Sequence, residues 1–504
     1  MNWPHAKPCV YSAAMTCVPD ATILAALERR LGPKGFTRDR ADMEPWLSDW
    51  RGRVHGQAAA LLSPANAEEV QAIVQLAAAH RVAIVPQGGN SSMVAGATPP
   101  ADGNALLLSL RRMNAIRSLS PEDNVAVAEA GVILSDLHSA AAGIGRRFPL
   151  SLGAKGSARI GGLISTNAGG TQVLRFGTMR SLVVGIEAVL PSGERFDGLS
   201  ALRKDNRGYD LRQLLVGAEG TLGVVTAASL RLVPAVGARA VAWIGLASPH
   251  VALTLLRRLE AATGEAIESF EAMPANVLAM VLRHIPDTRA PLAGTHAWHI
   301  LVEATAPVGA PDPVELLTAE LASAAGEGLI EDAVVAANEA QAEAFWKLRE
   351  VIAEAERAEG PAAKHDIAVP VSAVPDFLVD ARAAVEGRFA GTQVVGFGHM
   401  GDGNIHFNVL PPPGVDGRAW VENEGKEVNA FVHDFVGARG GSLSAEHGIG
   451  QLRLAEFART AGPVRLHALR AIKQALDPLG IMNPGKLVPP EASAQRTTNL
   501  TRSS

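Results

Sequence analysis

The sequence predicts an α+β protein of several domains whose ligands lie against glycine-rich loops, and three observations carry that prediction. At about 150 residues per domain, a chain of 504 residues divides into two to four units. Helix-like apolar spacing and short β-branched runs occur in both halves of the chain. The 50 glycines are not spread evenly but cluster at 88–103, 143–177, 217–223, 396–403 and 437–450. Glycine admits positive φ and lets the main chain approach a ligand closely, so such clusters mark special backbone. Any one of them taken alone is about as well explained by an ordinary loop.

Composition narrows the class. With 47% hydrophobic and 19% charged residues, the chain can bury a large core and is unlike a disordered polymer. Lys and Arg number 46 against 51 Asp and Glu, a net charge of -5, which leaves no sequence-wide positive field for phosphates and disfavours nucleic acid as a partner. Two cysteines, Cys9 and Cys17, make neither a disulfide framework nor a cysteine metal cage and fit a reducing cytoplasm. No apolar run reaches the roughly 20 residues of a membrane helix, and no basic stretch leads into an apolar one at the N-terminus. A membrane span and export are both unexpected.

In chain order, Val70, Ile73, Val74 and Ala77 have the spacing of a core-facing helix over about 66–80, with Asn66 as N-cap and Glu69 three residues on. The strand Val82–Val85 follows, ends at Pro86 and opens into Gln87-Gly88-Gly89-Asn90-Ser91-Ser92. A strand running into glycines and small hydroxyl residues presents several N–H groups to a phosphate. Neither the Walker pattern nor Gly-x-Gly-x-x-Gly occurs in this loop. Strands are expected at 105–110 and 125–130 and a helix near 132–142. The small-residue run from Phe148 to Gly170 cannot fill a core but can line a groove that holds an extended ligand. A hairpin over 183–196 turns at Pro191-Ser192-Gly193, and a last strand of this half ends near Pro234.

Residues 57–235 resemble the FAD domain of the vanillyl-alcohol-oxidase-like flavoproteins. The strings Pro86-Gln87-Gly88-Gly89-Asn90, Gly153-Ala154-Lys155-Gly156 and Arg203-Lys204-Asp205-Asn206 are similar to the D-2-hydroxyglutarate and D-lactate dehydrogenase group, nearer the former. The resemblance implies a vanillyl-alcohol-oxidase-type FAD-binding domain at 57–235. It also implies an N-terminal segment at 1–56, a mixed-sheet substrate-binding domain at 236–440, a C-terminal helical segment at 441–490 that returns to the flavin, and a flexible tail at 491–504. It implies that FAD is held by Pro86, Gln87, Gly88, Gly89, Asn90, Ser91 and Ser92. Further along, the implied contacts are Pro149, Gly153, Ala154, Ser157, Gly161 and Gly162, then Thr166, Asn167, Gly169 and Gly170. Glu219, Gly220, Val225 and Asn483 complete the implied set. Covalent members attach flavin through a histidine in the first loop; this loop has none, so noncovalent FAD is expected.

The second half carries the candidate chemistry. A helix over about 340–358 buries Phe345, Leu348 and Ile352, and on the helix alone Arg349 reads as a solvated side chain paired with Glu350 or Glu354. Asp402-Gly403 between strand-like runs signals a two-residue hairpin turn. That turn sets His399 directly opposite His406, with Cβ atoms about 4.5–5.5 Å apart, and places Asn408 on the His406 face. Glu446 would complete a two-histidine, one-carboxylate site for zinc or another divalent metal. His447, beside it, has an ordinary pKa near 6.5 that suits a general base. The resemblance assigns His399, His406 and Glu446 to the metal, His447 to the base, and Arg349, Lys364 and Asn408 to substrate.

The expected activity is FAD-dependent oxidation of a D-2-hydroxy acid to its 2-oxo acid, with D-2-hydroxyglutarate favoured and D-malate or D-lactate open. Electrons would pass to an electron-transfer flavoprotein, a quinone or a cytochrome, and a homodimer is compatible with the reading. Two alternatives stand beside it: an oxygen-using oxidase, and a non-catalytic flavoprotein subunit of an oxidase complex. One departure matters. Where hydroxyglutarate dehydrogenases of the group often carry threonine one turn after the arginine, this chain has Ala353.

Overall fold

A computed structural model describes residues 16–491 except Arg203. Cys9, the first 15 residues and positions 492–504 of the expected tail lie outside the described residues. Within the N-terminal segment, Cys17 N–H donates to the Arg81 carbonyl at 2.8 Å and ties the chain down from that point.

The helix read from Val70, Ile73, Val74 and Ala77 spans Ala67–His80 with all four side chains buried. The Asn66 side chain accepts from Glu69 N–H, and Glu69 accepts from Ala65 N–H in return, a reciprocal cap. The strand after it runs Ala83–Gln87, through Pro86 rather than up to it. It lies at one end of a four-stranded sheet, where a residue without an N–H is tolerated. Its free side meets the C-terminal segment: Ile84 N–H donates to Ile481 and Asn483 N–H to the Ile84 carbonyl, both at 2.8 Å. This contact brings residues 481–483 back onto the first half of the chain. A five-stranded antiparallel sheet, including the predicted hairpin Val183–Val189 and Arg195–Gly198, completes that half.

The sheet of the second half has seven strands, in the order Asp332–Val335, Ala238–Leu246, Trp298–Ala306, Ile267–Pro274, Gln393–His399, Asn404–Leu410, Ala363–Ala368. Expected to be mixed, it is antiparallel at every pairing. The reason lies in the crossover from Ala238–Leu246 through the helix Pro249–Thr263 to Ile267–Pro274. The two strands it joins are parallel to each other but separated by Trp298–Ala306, which pairs antiparallel with both.

Both faces of this sheet are covered, and strand alternation shows it. Ala240, Ala242, Ile244 and Leu246 pack with Leu255, Leu321, Phe377 and Val432 on one side. Val241 and Trp243 pack with Val277, Phe345 and Ile352 on the other. The helix expected over 340–358 is two, Glu339–Glu350 and Ile352–Glu359, joined at Val351. The joint falls on two β-branched residues, which lose side-chain freedom in a helix.

Candidate active site

Where the strand Ala83–Gln87 ends, Gly88 faces the second glycine run. A Cβ on Gly88 would stand 3.4 Å from Gly162 Cα, and one on Gly89 only 2.0 Å from the Ser157 carbonyl oxygen. The two runs therefore meet backbone to backbone, which only glycine permits. Asn90 takes a left-handed φ of 53° and anchors the turn by donating to Ser48 O at 2.8 Å. Around this contact lies a cavity of about 660 Å³, within the range of cofactor sites. Its wall includes Pro86 to Ser92, Gly153, Ala154, Ser157, Gly161, Gly162, Thr166 and Gly169, and then Glu219, Gly220 and Val225. A long groove walled by small residues and glycine backbone fits FAD.

Four of the anticipated contacts are not in the wall. Pro149 is buried between Phe148 and Leu150. Asn167 accepts from Arg180 N–H, and Gly170 packs against the Ser151 carbonyl. Asn483 donates to the carbonyls of Gly96 and Glu219. Glu219 itself accepts from Ile449 and Gly450 N–H, both at 2.7 Å. Its carboxylate thus fastens the loop after His447 to the groove.

Glu446 and His447 line the same cavity. His399, His406 and Glu446 come together with ligand atoms within 4.8 Å of one another. The route differs from the predicted one. The turn is four residues long, Met400–Gly403, so His399 pairs with Asn404 and His406 with Phe397. Gly403, at φ 86°, packs with its α-carbon so near the Val369 carbonyl that a Cβ there would lie 2.2 Å from it, which pins the longer turn. Because the register moves by two residues, the strand period is kept. Both imidazoles still share a face, as diagonal neighbours with ring centroids 5.5 Å apart.

Two buried carboxylates that the sequence reading passed over hold this cluster in place. Glu271 pairs directly across the sheet from His399 and meets His399 Nδ1 at 2.6 Å. Burial opposes charge on His399, but Glu271 overrides it and raises the imidazole to about 9. The 2.6 Å contact commits Nδ1–H to Glu271, so Nε2, 3.9 Å from Glu446 Oε1, is the atom that would ligate a metal once its proton is displaced. Asp366 plays the matching part for His447, with Oδ2 3.2 Å from Nδ1. The same oxygen accepts from the backbone N–H of Glu446 and His447. Burial acts to raise Asp366, and His447, His406 and Arg453 outweigh it, so the group stays ionised. Burial in turn depresses His447 to about 4 against the pull of Asp366. At neutral pH the imidazole is uncharged, as a base must be. Glu446 is pushed upward by burial, a penalty a bound cation would remove.

Arg349 is not solvated, and Glu350 and Glu354 are not its partners. It is buried, donates from Nε to Glu271 Oε2 at 2.8 Å, and lies over the Phe397 ring. Its own helix could not reveal this, because Glu271 is 78 residues away. Lys364 and Asn408 are cross-strand partners on the face that carries Asp366 and His406, and both donate to Glu356, a third carboxylate absent from the sequence reading. Lys364-His365-Asp366, three polar residues between Ala363 and Ile367 in a strand-like run, was a legible signal of a site.

Residues 58–198 match the family described as FAD binding domain, and residues 237–487 match FAD linked oxidases, C-terminal domain. The mitochondrial D-2-hydroxyglutarate dehydrogenase of Arabidopsis thaliana is 34% identical over 95% of this chain and 85% of its own length. That of Bos taurus is 37% identical over 93% and 84%. The D-2-hydroxyglutarate dehydrogenase of Xanthomonas citri pv. viticola is 36% identical over 92% and 96%. Among solved structures, p-cresol methylhydroxylase superposes with a TM-score of 0.70 at 15% identity, covering 95% of this chain and 99% of that one, a likeness of fold. No described helix is long and apolar enough to cross a membrane.

Proposed function

The chain belongs to the FAD-linked oxidase family, beside the D-2-hydroxyglutarate dehydrogenases, and from that premise we propose that it oxidises a D-2-hydroxy acid to the 2-oxo acid. It is an FAD-dependent oxidoreductase acting on a hydroxyl donor. The observation that carries the proposal is that Glu446 and His447 line the same cavity as the glycine loops at 88–92 and 153–169. Reacting groups and flavin groove therefore face one space.

Bound in that groove, FAD supplies the two-electron acceptor for the substrate's C2 hydrogen. A divalent cation on His399, His406 and Glu446, with zinc the first candidate for this donor set, supplies Lewis acidity toward the 2-hydroxyl. The chain does the rest. His447, its Nδ1 turned to Asp366, takes the hydroxyl proton at Nε2. Arg349, held by Glu271, binds the substrate carboxylate. Asp366 keeps its charge throughout and stabilises the imidazolium that forms, while the Glu219 anchor keeps the 446–450 loop closed over the site.

The test is a panel of D- and L-2-hydroxy acids added to the purified holoprotein under anaerobic conditions, with flavin absorbance as the readout. D-acids should bleach the flavin, and prior chelation should abolish bleaching while leaving the flavin bound. Bleaching by L-acids alone would overturn the assignment, and indifference to chelators would remove the metal from it. We further expect FAD to be noncovalent, since residues 86–92 include no histidine. Acid precipitation should release it into the supernatant, and flavin pelleting with the protein would contradict this. The acceptor is taken to be an electron-transfer flavoprotein, a quinone or a cytochrome. A cytoplasmic setting is proposed on cysteine content alone.

A further inference from the structure

Strand register offers a place for the far end of the substrate, given the reading that this site oxidises a 2-hydroxy acid. Asp366 faces His406 across the sheet, and Lys364 faces Asn408. Same-face neighbours along a strand are about 7 Å apart. The Lys364–Asn408 pair thus lies one such step from the candidate metal cluster, about the reach of a five-carbon acid whose hydroxyl sits at the cluster.

The group waiting there is not a free cation. Glu356, on the helix Ile352–Glu359, is 1% exposed. Its Oε2 accepts from Lys364 Nζ at 2.9 Å and from Asn408 Nδ2 at 3.1 Å. The Asn408 oxygen is engaged as well, accepting from His365 N–H at 3.3 Å. Lys364 is therefore neutralised before any substrate arrives. The other oxygen, Glu356 Oε1, is buried without a hydrogen-bond partner. A buried carboxylate oxygen lacking a donor is costly, and this one sits beside the group that would receive the substrate's far end.

We propose that Glu356 is a specificity-determining residue that excludes a second carboxylate and selects a 2-hydroxy monoacid with a neutral, hydroxyl-bearing arm. An arm hydroxyl can donate to Glu356 Oε1 and accept from Lys364 Nζ, which has N–H groups to spare after binding Glu356. A second carboxylate would instead meet a like charge at the same spot, the repulsive element on which discrimination often rests. Arg349 engages Glu271 through Nε, which leaves its terminal N–H groups for the 1-carboxylate in both cases. Ala353, three residues before Glu356, brings no donor that would compensate a diacid.

The test uses the holoenzyme and two acids of equal length, D-2,5-dihydroxypentanoate and D-2-hydroxyglutarate, which differ only at the far end. The wild type should favour the diol acid by about 10–100-fold in kcat/KM, the scale of one avoided like-charge contact. Glu356→Gln should raise kcat/KM for the diacid by about tenfold through KM, with kcat little changed, and should not improve the diol acid. A wild-type preference for hydroxyglutarate, or a variant that shifts both substrates alike, overturns the proposal. If the variant loses its flavin, the wild-type ratio alone decides. Should no D-2-hydroxy acid reduce the flavin, the functional reading itself fails and this inference with it; a reversed preference among active D-acids removes Glu356 only.

Discussion

Replacing His447 with Asn should lower turnover by about 10²–10⁴, the usual contribution of a positioned general base, with the flavin still bound. Asparagine keeps much of the side-chain volume and a polar group for Asp366 but cannot take the substrate proton. The readout is the rate of anaerobic flavin reduction by a saturating D-2-hydroxy acid, with the flavin spectrum as a check that the fold and groove survive. Near-normal reduction would remove His447 from the role of base. Asp366→Asn should give a smaller loss, about 10–100-fold, as outer-shell partners do. It holds the His447 ring, accepts from two backbone N–H groups of the same loop and lies 4.0 Å from His406.

Loss of the Glu268 carboxylate should destabilise the protein by about 3–5 kcal/mol, the penalty for removing one partner of a buried ion pair. Glu268 is fully buried on the strand Ile267–Pro274. It accepts from Arg147, from Arg175 at 3.0 Å, from Gln172 at 3.0 Å and from Thr305. The first three come from the flavin half of the chain, so this carboxylate clamps the two halves together. Glu268→Ala leaves two arginines facing each other without it, and the urea midpoint of the transition should fall. Burial acts to raise Glu268, but the Arg147 hydrogen bonds and charge, with Thr305 and Arg175, leave it below its ordinary value. A depressed carboxyl contributes stability above its unfolded value, about 4.3, and loses it as pH drops through the folded value. The gap between wild type and variant should therefore be full at pH 7 and close in acid. An unchanged midpoint at pH 7 would show that the clamp contributes nothing.

Several local features could be read directly along the chain. The helix Ala67–His80 follows from four apolar positions and its cap, and the hairpin at 183–198 from Pro191-Ser192-Gly193. Glycine clustering marked both the groove and the loops around His399, His406 and His447. Where the reading slipped, the cause was long range. The Asp402-Gly403 turn is compatible with two registers two residues apart, and the choice falls to Gly403 packing on Val369, outside the hairpin. Arg349 looked solvated because its carboxylate partner comes from a strand 78 residues earlier. Glu271 and Glu356 were missed because a carboxylate in a strand or helix gives no local sign of being buried; Asp366 had one, the polar run Lys364-His365-Asp366 inside a strand.

The sequence by itself determined where the backbone must bend closely around a ligand and which side chains with base or ligand chemistry lie beside those bends. Periodicity and permitted φ act within a few residues, so they survive translation into a one-dimensional string. Only the tertiary structure decided which charges are already answered. Glu271 takes up Arg349 and His399, Asp366 orients His447, and Glu356 cancels Lys364. Electrostatic pairing depends on distance in space and on exclusion of water, and neither is a property of any short stretch of chain.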